Sequence, residues 1–373
     1  MQQINYLTTI NFGAGSIESL KASLDDLGVS KPLIISDRGL EATGLLKQAL
    51  KYCPPETPTF LDVPTNPTEN AVLQACRLFI DAGCDGVVAF GGGSPIDLAK
   101  GVALLVTHEG PLDQYAAILG GIPKIGPVSP LIAIPTTAGT GSEVGRAALI
   151  TLDDGRKLGF ISGHLIPKRA ICDPALTINL PPSLTAATGL DALSHCIETY
   201  LSPRFNPPAE AIALDGFARI WNNLEGAVTD GKDINKRTEM MMGALQGGLT
   251  FQKGLGAVHA LSHALGGLKE LNLHHGTLNA ILMPPVLRMN QSAAAEKITR
   301  LAAAIGLPSG SNLADQLDGL NRRLGIPKTL SELGVTTSIL DFIVERALQD
   351  HSHQTNPRPL NDAEYMTILK MVF

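Results

Sequence analysis

Short, almost continuously apolar runs alternate with amphipathic stretches over the first half of the chain. KPLIIS (31–36), PTFLDV (58–63), GVVAF (86–90) and PLIAIPT (130–136) read as strands. Between them, GLLKQALKYC, ENAVLQACRLFIDAG and SPIDLAKGVALLV place apolar residues at helical spacing. Strands that are apolar on both faces and joined by helices predict a parallel sheet covered on both sides. From residue 181 the strand-like runs nearly stop. Pro181-Pro182-Ser183 signals a helix start, with Ser183 a candidate N-cap for LTAATGLDALSHCIETYL. Helical patterns continue through AEAIALDGFARIWNNL, KRTEMMMGALQGG, GAVHALSHALGGL and AAAEKITRLAAAIG. The expectation is an α/β domain over 1–180 and an all-helical domain over 181–373.

Length supports two domains, since 373 residues exceed what a single core usually organises. With 44% hydrophobic and 17% charged residues, the chain is too apolar to be disordered. Lys and Arg number 29 against 35 Asp and Glu, a net charge of −6 without any basic run, which argues against nucleic acid or an anionic membrane as partner. The apolar run from Pro130 to Pro135 is far shorter than the roughly 20 residues that span a bilayer. MQQINYLTTINFG has neither a basic start nor a continuous apolar core, so a signal peptide is not expected and the expected location is cytoplasmic. Five scattered cysteines (Cys53, Cys76, Cys84, Cys172, Cys196) without a CxxC pair fit a reducing compartment, and they leave any metal to histidine and carboxylate.

Two glycine-containing loops follow predicted strands. Gly91-Gly92-Gly93-Ser94 lies between GVVAF and a helix with Pro95 in its first turn, where bare backbone and free N–H groups can meet a pyrophosphate. The loop from Pro135 to Glu143 offers the hydroxyls of Thr136, Thr137, Thr140 and Ser142. Neither matches GxGxxG, yet two such loops at strand ends suit a nucleotide on a doubly wound sheet. Asp37, directly after KPLIIS, can accept from ribose hydroxyls and repel a 2′-phosphate, which favours NAD over NADP; capping a turn is its alternative role.

Four of the nine histidines fall close together: His259, His263, His274 and His275. The spacing His259 to His263, like Asp191 to His195, puts two polar groups about 40° apart on one helix face. Two such helices can close a metal site, which His275, in the loop-like segment HHGTLNA, can complete. Each histidine alone is more simply a hydrogen-bonded core residue, but several of them buried with an Asp call for a cation. One carboxylate and three imidazoles suit Fe(II) or Zn(II).

The ordered set GGGSPIDLAK, PTTAGTGSEV, GLDALSHCIE, GAVHALSHALGG, HHGTLNAILMP and TNPRPL resembles the iron-containing (group III) alcohol dehydrogenase family over essentially the whole chain. The resemblance implies a Rossmann-like nucleotide-binding domain followed by a helical metal-binding domain, a dehydroquinate synthase-like architecture with the active site in the cleft between domains. It implies metal ligands at Asp191, His195, His259 and the histidine directly before glycine, His275, with His274 the alternative fourth ligand. His263 would lie beside the metal as a proton relay. The NAD contacts would be Asp37, Asn66, Gly92, Gly93, Ser94, Asp97, Thr136, Thr137, Thr140, Ser142 and Lys157. A homodimer is implied as well.

The activity so implied is NAD-linked hydride transfer between a small alcohol and its aldehyde, with a divalent cation stabilising the alkoxide. Substrate contacts carried over are Phe251, as a pocket aromatic, and His353, where many members have a cysteine. Arg146 stands where many members are neutral, and a guanidinium there can grip the carboxylate of a short hydroxyacid; a surface salt bridge is its plainer role. A glycerol-type polyol dehydrogenase and a dehydroquinate-synthase-like lyase are the competing enzymes, although the metal-bearing segments lack the Lys and Arg cluster that a phosphorylated substrate requires. A non-catalytic nucleotide- or metal-binding protein is the competitor from another class.

Overall fold

The computed structural model describes residues 8–268, 270–271 and 273–373. Residues 1–7, the start of the segment tested for a signal peptide, lie outside them. The described residues divide into two compact units: one takes 8–137 and Gly141–Ile178, the other Asn179–Phe373 together with Ala138–Thr140.

The first unit holds strands β1 (Thr9–Phe12), β2 (Pro32–Ile35), β3 (Thr59–Phe60), β4 (Gly86–Gly91), β5 (Leu131–Pro135), β6 (Ala147–Thr151), β7 (Lys157–Ile161) and β8 (Arg169–Cys172). Its helices are α1 (Leu20–Leu27), α2 (Arg38–Ala42), α3 (Leu46–Leu50), α4 (Glu69–Asp81) and α5 (Gly93–Leu105). Six strands form a parallel sheet in the order β1-β8-β5-β4-β2-β3. Alternate strand residues fill two cores: Leu33, Ile35, Val87 and Ala89 pack with α4 and α5, while Ile34, Val88, Phe90 and Ile132 face α1 and α3. That two-sided burial is why these strands read as unbroken apolar runs.

β6 and β7 form a separate antiparallel hairpin, pairing Ala147 with Ile161 through Thr151 with Lys157. β1, β8 and this hairpin have no counterpart among the expected strands. They are short and only partly apolar, so their pattern is weak.

The second unit contains α6 (Pro182–Leu201), α7 (Pro207–Thr229), α8 (Ile234–Leu249), α9 (Ala257–Gly266), α10 (His275–Asn290), α11 (Ala295–Ala304), α12 (Leu313–Arg323), α13 (Leu340–Gln349) and α14 (Asp362–Met371). From Thr185 to Leu201 every residue of α6 is buried, apolar positions and the polar stripe of Asp191, His195 and Glu198 alike, so this is the central helix of the unit. Two expectations are corrected. Ser183 does not cap α6; Pro181 occupies the N-cap position and Pro182 opens the first turn, where the ring's fixed φ suits the helix and no N–H is missed. His275 opens α10 instead of sitting in a loop, and the helix runs on through Pro284 and Pro285. Among the described residues, no helix is long and apolar enough to cross a membrane.

Candidate active site

In the first unit, the chain leaves β2 for β3 on one side and β4 for β5 on the other, so β2 and β4 flank a topological switch point. Ligands of open α/β sheets bind outside the carboxyl ends of such strands. Asp37 lies just beyond β2, and Gly92-Gly93-Ser94 beyond β4. The turn requires glycine at Gly91, whose φ is +155° and where a Cβ would fall 2.6 Å from the Pro95 ring. Asp37 caps α2, one carboxylate oxygen accepting from Leu40 N at 2.9 Å.

Several of the other expected cofactor residues of this unit are held by hydrogen bonds, two pairs of them to one another. Ser94 Oγ donates to the Thr65 carbonyl, and Thr136 N donates to the Gly91 carbonyl at 3.0 Å. Lys157 Nζ donates to Asn66 Oδ1 at 2.9 Å. Ser142 Oγ donates to Asp97 Oδ1 at 2.6 Å, and Leu149 N donates to Asp97 Oδ2 at 3.0 Å. Beneath them lies Lys100, fully buried, its Nζ donating to Ser142 Oγ (2.8 Å) and to the carbonyls of Gly145 (2.9 Å) and Ala147 (2.7 Å). Burial pushes the Lys100 ammonium down to about 8 and the neighbouring Glu143 carboxyl up to about 7. Lys157 is lowered for the same reason. Thr137 is half-buried and Arg146 exposed; Thr140 groups with the helical unit.

In the second unit, α6 presents Asp191, His195 and Glu198 at i, i+4 and i+7, one stripe of a buried helix. α9 brings His259 and His263, and α10 starts at His275. Nε2 of His195, His275 and His259 stand 3.5, 3.6 and 3.9 Å from Asp191 Oδ1. One ligand atom from each of the four lies within 4.8 Å of the others. Close approach at His275 depends on its neighbour: a Cβ on Gly276 would fall 2.2 Å from the Ala187 carbonyl of α6. His274 is outside this set, its Nδ1 3.4 Å from Thr277 Oγ1.

These donors fit a divalent cation. A tetrahedral centre with ligand bonds of about 2.1 Å separates its ligands by about 3.4 Å. Nδ1 of His259 pairs with Glu198 Oε2 at 2.6 Å, leaving the Nε2 lone pair to face Asp191. Asn279, one turn after His275, aims its Nδ2 at the same atoms: 2.7 Å from Asp191 Oδ1, 3.1 Å from His275 Nε2 and 3.2 Å from His259 Nε2. The Asn279 Oδ1 is buried without a partner, so the polar contacts of this amide fall on three of the four donors, Asp191, His259 and His275. Burial lowers the His195 pKa and drives that of His259 well below its usual value, which keeps both neutral and able to coordinate. It pushes the Glu198 carboxyl up to about 8.

Around the cluster, the Phe251 ring meets His195 edge-on at 4.8 Å. His263 stacks on His275 at 5.5 Å, and its Nδ1 is 3.0 Å from Asp350 Oδ2. Burial alone would raise the Asp350 carboxyl, but the His263 and His351 imidazoles outweigh it and bring it to about 2. His353 Nδ1 is 2.9 Å from the Tyr365 hydroxyl. Sequence reasoning missed Glu198, Asn279, Asp350 and His351. Glu198 and Asn279 were within reach, at i+7 from Asp191 and i+4 from His275, once both segments are taken as helices. Asp350 and His351 follow α13 and carry no local signal.

The model of iron-containing alcohol dehydrogenases matches residues 8–174, and that of the family's C-terminal region matches 185–373. The chain belongs to the iron-containing alcohol dehydrogenase family. It is 50% identical over 379 residues to a 4-hydroxybutyrate dehydrogenase of Cupriavidus necator, covering 99% of each chain. The crystal structure of a 1,3-propanediol oxidoreductase superposes with a TM-score of 0.94 at 36% identity, covering 100% of both chains. A sulfoacetaldehyde reductase of Bifidobacterium kashiwanohense, solved in complex with NAD+, gives a TM-score of 0.90 at 26% identity, covering 100% of this chain and 98% of that one. The protein is therefore an NAD-linked alcohol oxidoreductase of the metal-dependent type, acting on small alcohols or aldehydes.

Proposed function

We propose that the protein interconverts a short ω-hydroxyacid, 4-hydroxybutyrate in the first instance, with its semialdehyde, using NAD in preference to NADP and Fe(II) or Zn(II) at Asp191, His195, His259 and His275. The observation that carries the substrate is the full-length 50% identity to a 4-hydroxybutyrate dehydrogenase. The exposed guanidinium of Arg146 supports it, being suited to a carboxylate. Asp37 at the end of β2 supports NAD. Asn66, Gly92, Gly93, Ser94, Asp97, Thr136, Thr137, Thr140, Ser142 and Lys157 are proposed as the remaining cofactor contacts.

Asp191, His195, His259 and His275 would hold a cation that would supply Lewis acidity toward the alcohol or carbonyl oxygen, and a bound nicotinamide would supply the hydride chemistry. The chain does the rest. Glu198 fixes the His259 tautomer, Asn279 aims Asp191, and Phe251 walls the cluster with an apolar ring. Asp350 holds His263 through Nδ1, so Nε2 is the nitrogen that accepts the alcohol proton.

Initial rates of NADH formation at 340 nm with 4-hydroxybutyrate, 1-butanol and 1,3-propanediol test this reading. The expected kcat/KM favours 4-hydroxybutyrate over 1-butanol by about 10-fold or more, the worth of a charge-assisted hydrogen bond. Arg146→Ala should erase that preference while leaving 1-butanol oxidation intact. Equal efficiency for both alcohols in the wild type would end the hydroxyacid assignment.

A further inference from the structure

Beside the four-donor cluster, a second set of donors converges on the surface side of His263. Its Nδ1 is 3.0 Å from Asp350 Oδ2, and His351 Nδ1 is 3.6 Å from Asp350 Oδ1. One ligand atom from each of the three residues lies within 4.8 Å of the others. The His351 ring stacks on that of His263 at 5.8 Å. Asp350 is 15% exposed and His351 49%, so the trio opens to solvent through His351.

We propose that His263, Asp350 and His351 form a second, weaker site for a borderline divalent cation such as Zn2+, and that its occupation switches the enzyme off. Two imidazoles and a carboxylate select such a cation over Mg2+ or Ca2+, which prefer all-oxygen sites. The separations of 3.0 and 3.6 Å bracket the edge of a tetrahedral centre, about 3.4 Å. Three donors against four, with one of the three half in water, make this the weaker site.

Its effect on catalysis rests on the proton-relay role proposed for His263. A cation on Nδ1 takes that nitrogen's lone pair, so the neutral ring's single N–H proton moves from Nδ1 to Nε2. That nitrogen then has no lone pair for the alcohol proton, so the relay stops.

The test uses the full-length protein carrying one cation per chain, dialysed against Zn2+ and analysed for zinc by atomic emission. NADH formation from 1-butanol is followed over the same Zn2+ series, each variant relative to its own zinc-free rate. The wild type should take up a second equivalent, with inhibition rising in parallel. In His351→Ala that equivalent should bind at least about 10-fold more weakly, the least expected for loss of a ligand when outer-shell partners already cost that much, and inhibition should shift equally. A wild type that takes up no second equivalent, or an undiminished one in His351→Ala, overturns the proposal. A second equivalent that depends on His351 but does not inhibit keeps the site and overturns the relay role of His263.

Discussion

Asn279 shows how one neutral side chain organises a charged cluster. Its amide has two hydrogens and faces three acceptors, the carboxylate of Asp191 and the imidazoles of His259 and His275. Glu198 lies on the far side of His259, where Oε2 pairs with Nδ1 at 2.6 Å and Oε1 accepts from Val258 N at 2.8 Å. Glu198 meets His259 at Nδ1, away from the coordinating nitrogen, whereas Asn279 steadies Asp191 and would give up the His259 and His275 lone pairs to an arriving cation. Replacing Asn279 by Ala should weaken Fe(II) or Zn(II) binding by about 10–100-fold in chelator competition, the usual cost of losing an outer partner of a metal ligand. Metal-free Asn279→Ala should stay folded by circular dichroism. Undiminished affinity in a folded variant would show that Asn279 is only filling space.

At the scale of elements, the hairpin β6–β7 is pinned to α5 by Lys100, which ties Ser142, Gly145 and Ala147 together, while Asp97 holds Leu149. Glu143 sits buried beside this strut with its carboxyl up at about 7 against an ordinary 4.5. Between those pH values the folded chain holds a proton that the unfolded chain releases, so this group makes stability fall as pH rises from 4.5 to 7. Glu143→Gln removes that dependence. Across the window, the wild type should therefore lose on the order of 3 kcal/mol of unfolding free energy relative to the variant; parallel pH profiles in urea titrations would contradict this. Much of this scale was legible beforehand. β2, β4 and β5 announced themselves because both their faces are buried, and α6 and α9 because Asp191–His195 and His259–His263 interrupt apolar stripes at i, i+4. The hairpin was not, since its placement depends on Lys100 reaching carbonyls more than forty positions away. α10 was hidden by paired prolines and by a histidine pair that resembles a loop, and Asp350 meets His263 across 87 positions.

The molecule as a whole has two units: a parallel sheet with glycine turns at its switch point, and a helical unit that gathers one carboxylate and three imidazoles. Family membership extends over both units. The proposed function requires that Asp191, His195, His259 and His275 together hold one catalytic cation while His263, next to them, does not. Metal content per chain, measured on wild type, Asp191→Ala and His263→Ala purified without chelators and dialysed free of loosely held ions, addresses that claim directly. The account predicts close to one Fe or Zn in the wild type and in a poorly active His263→Ala, and almost none in a folded Asp191→Ala. Full metal in Asp191→Ala, or loss of metal in His263→Ala, would contradict it.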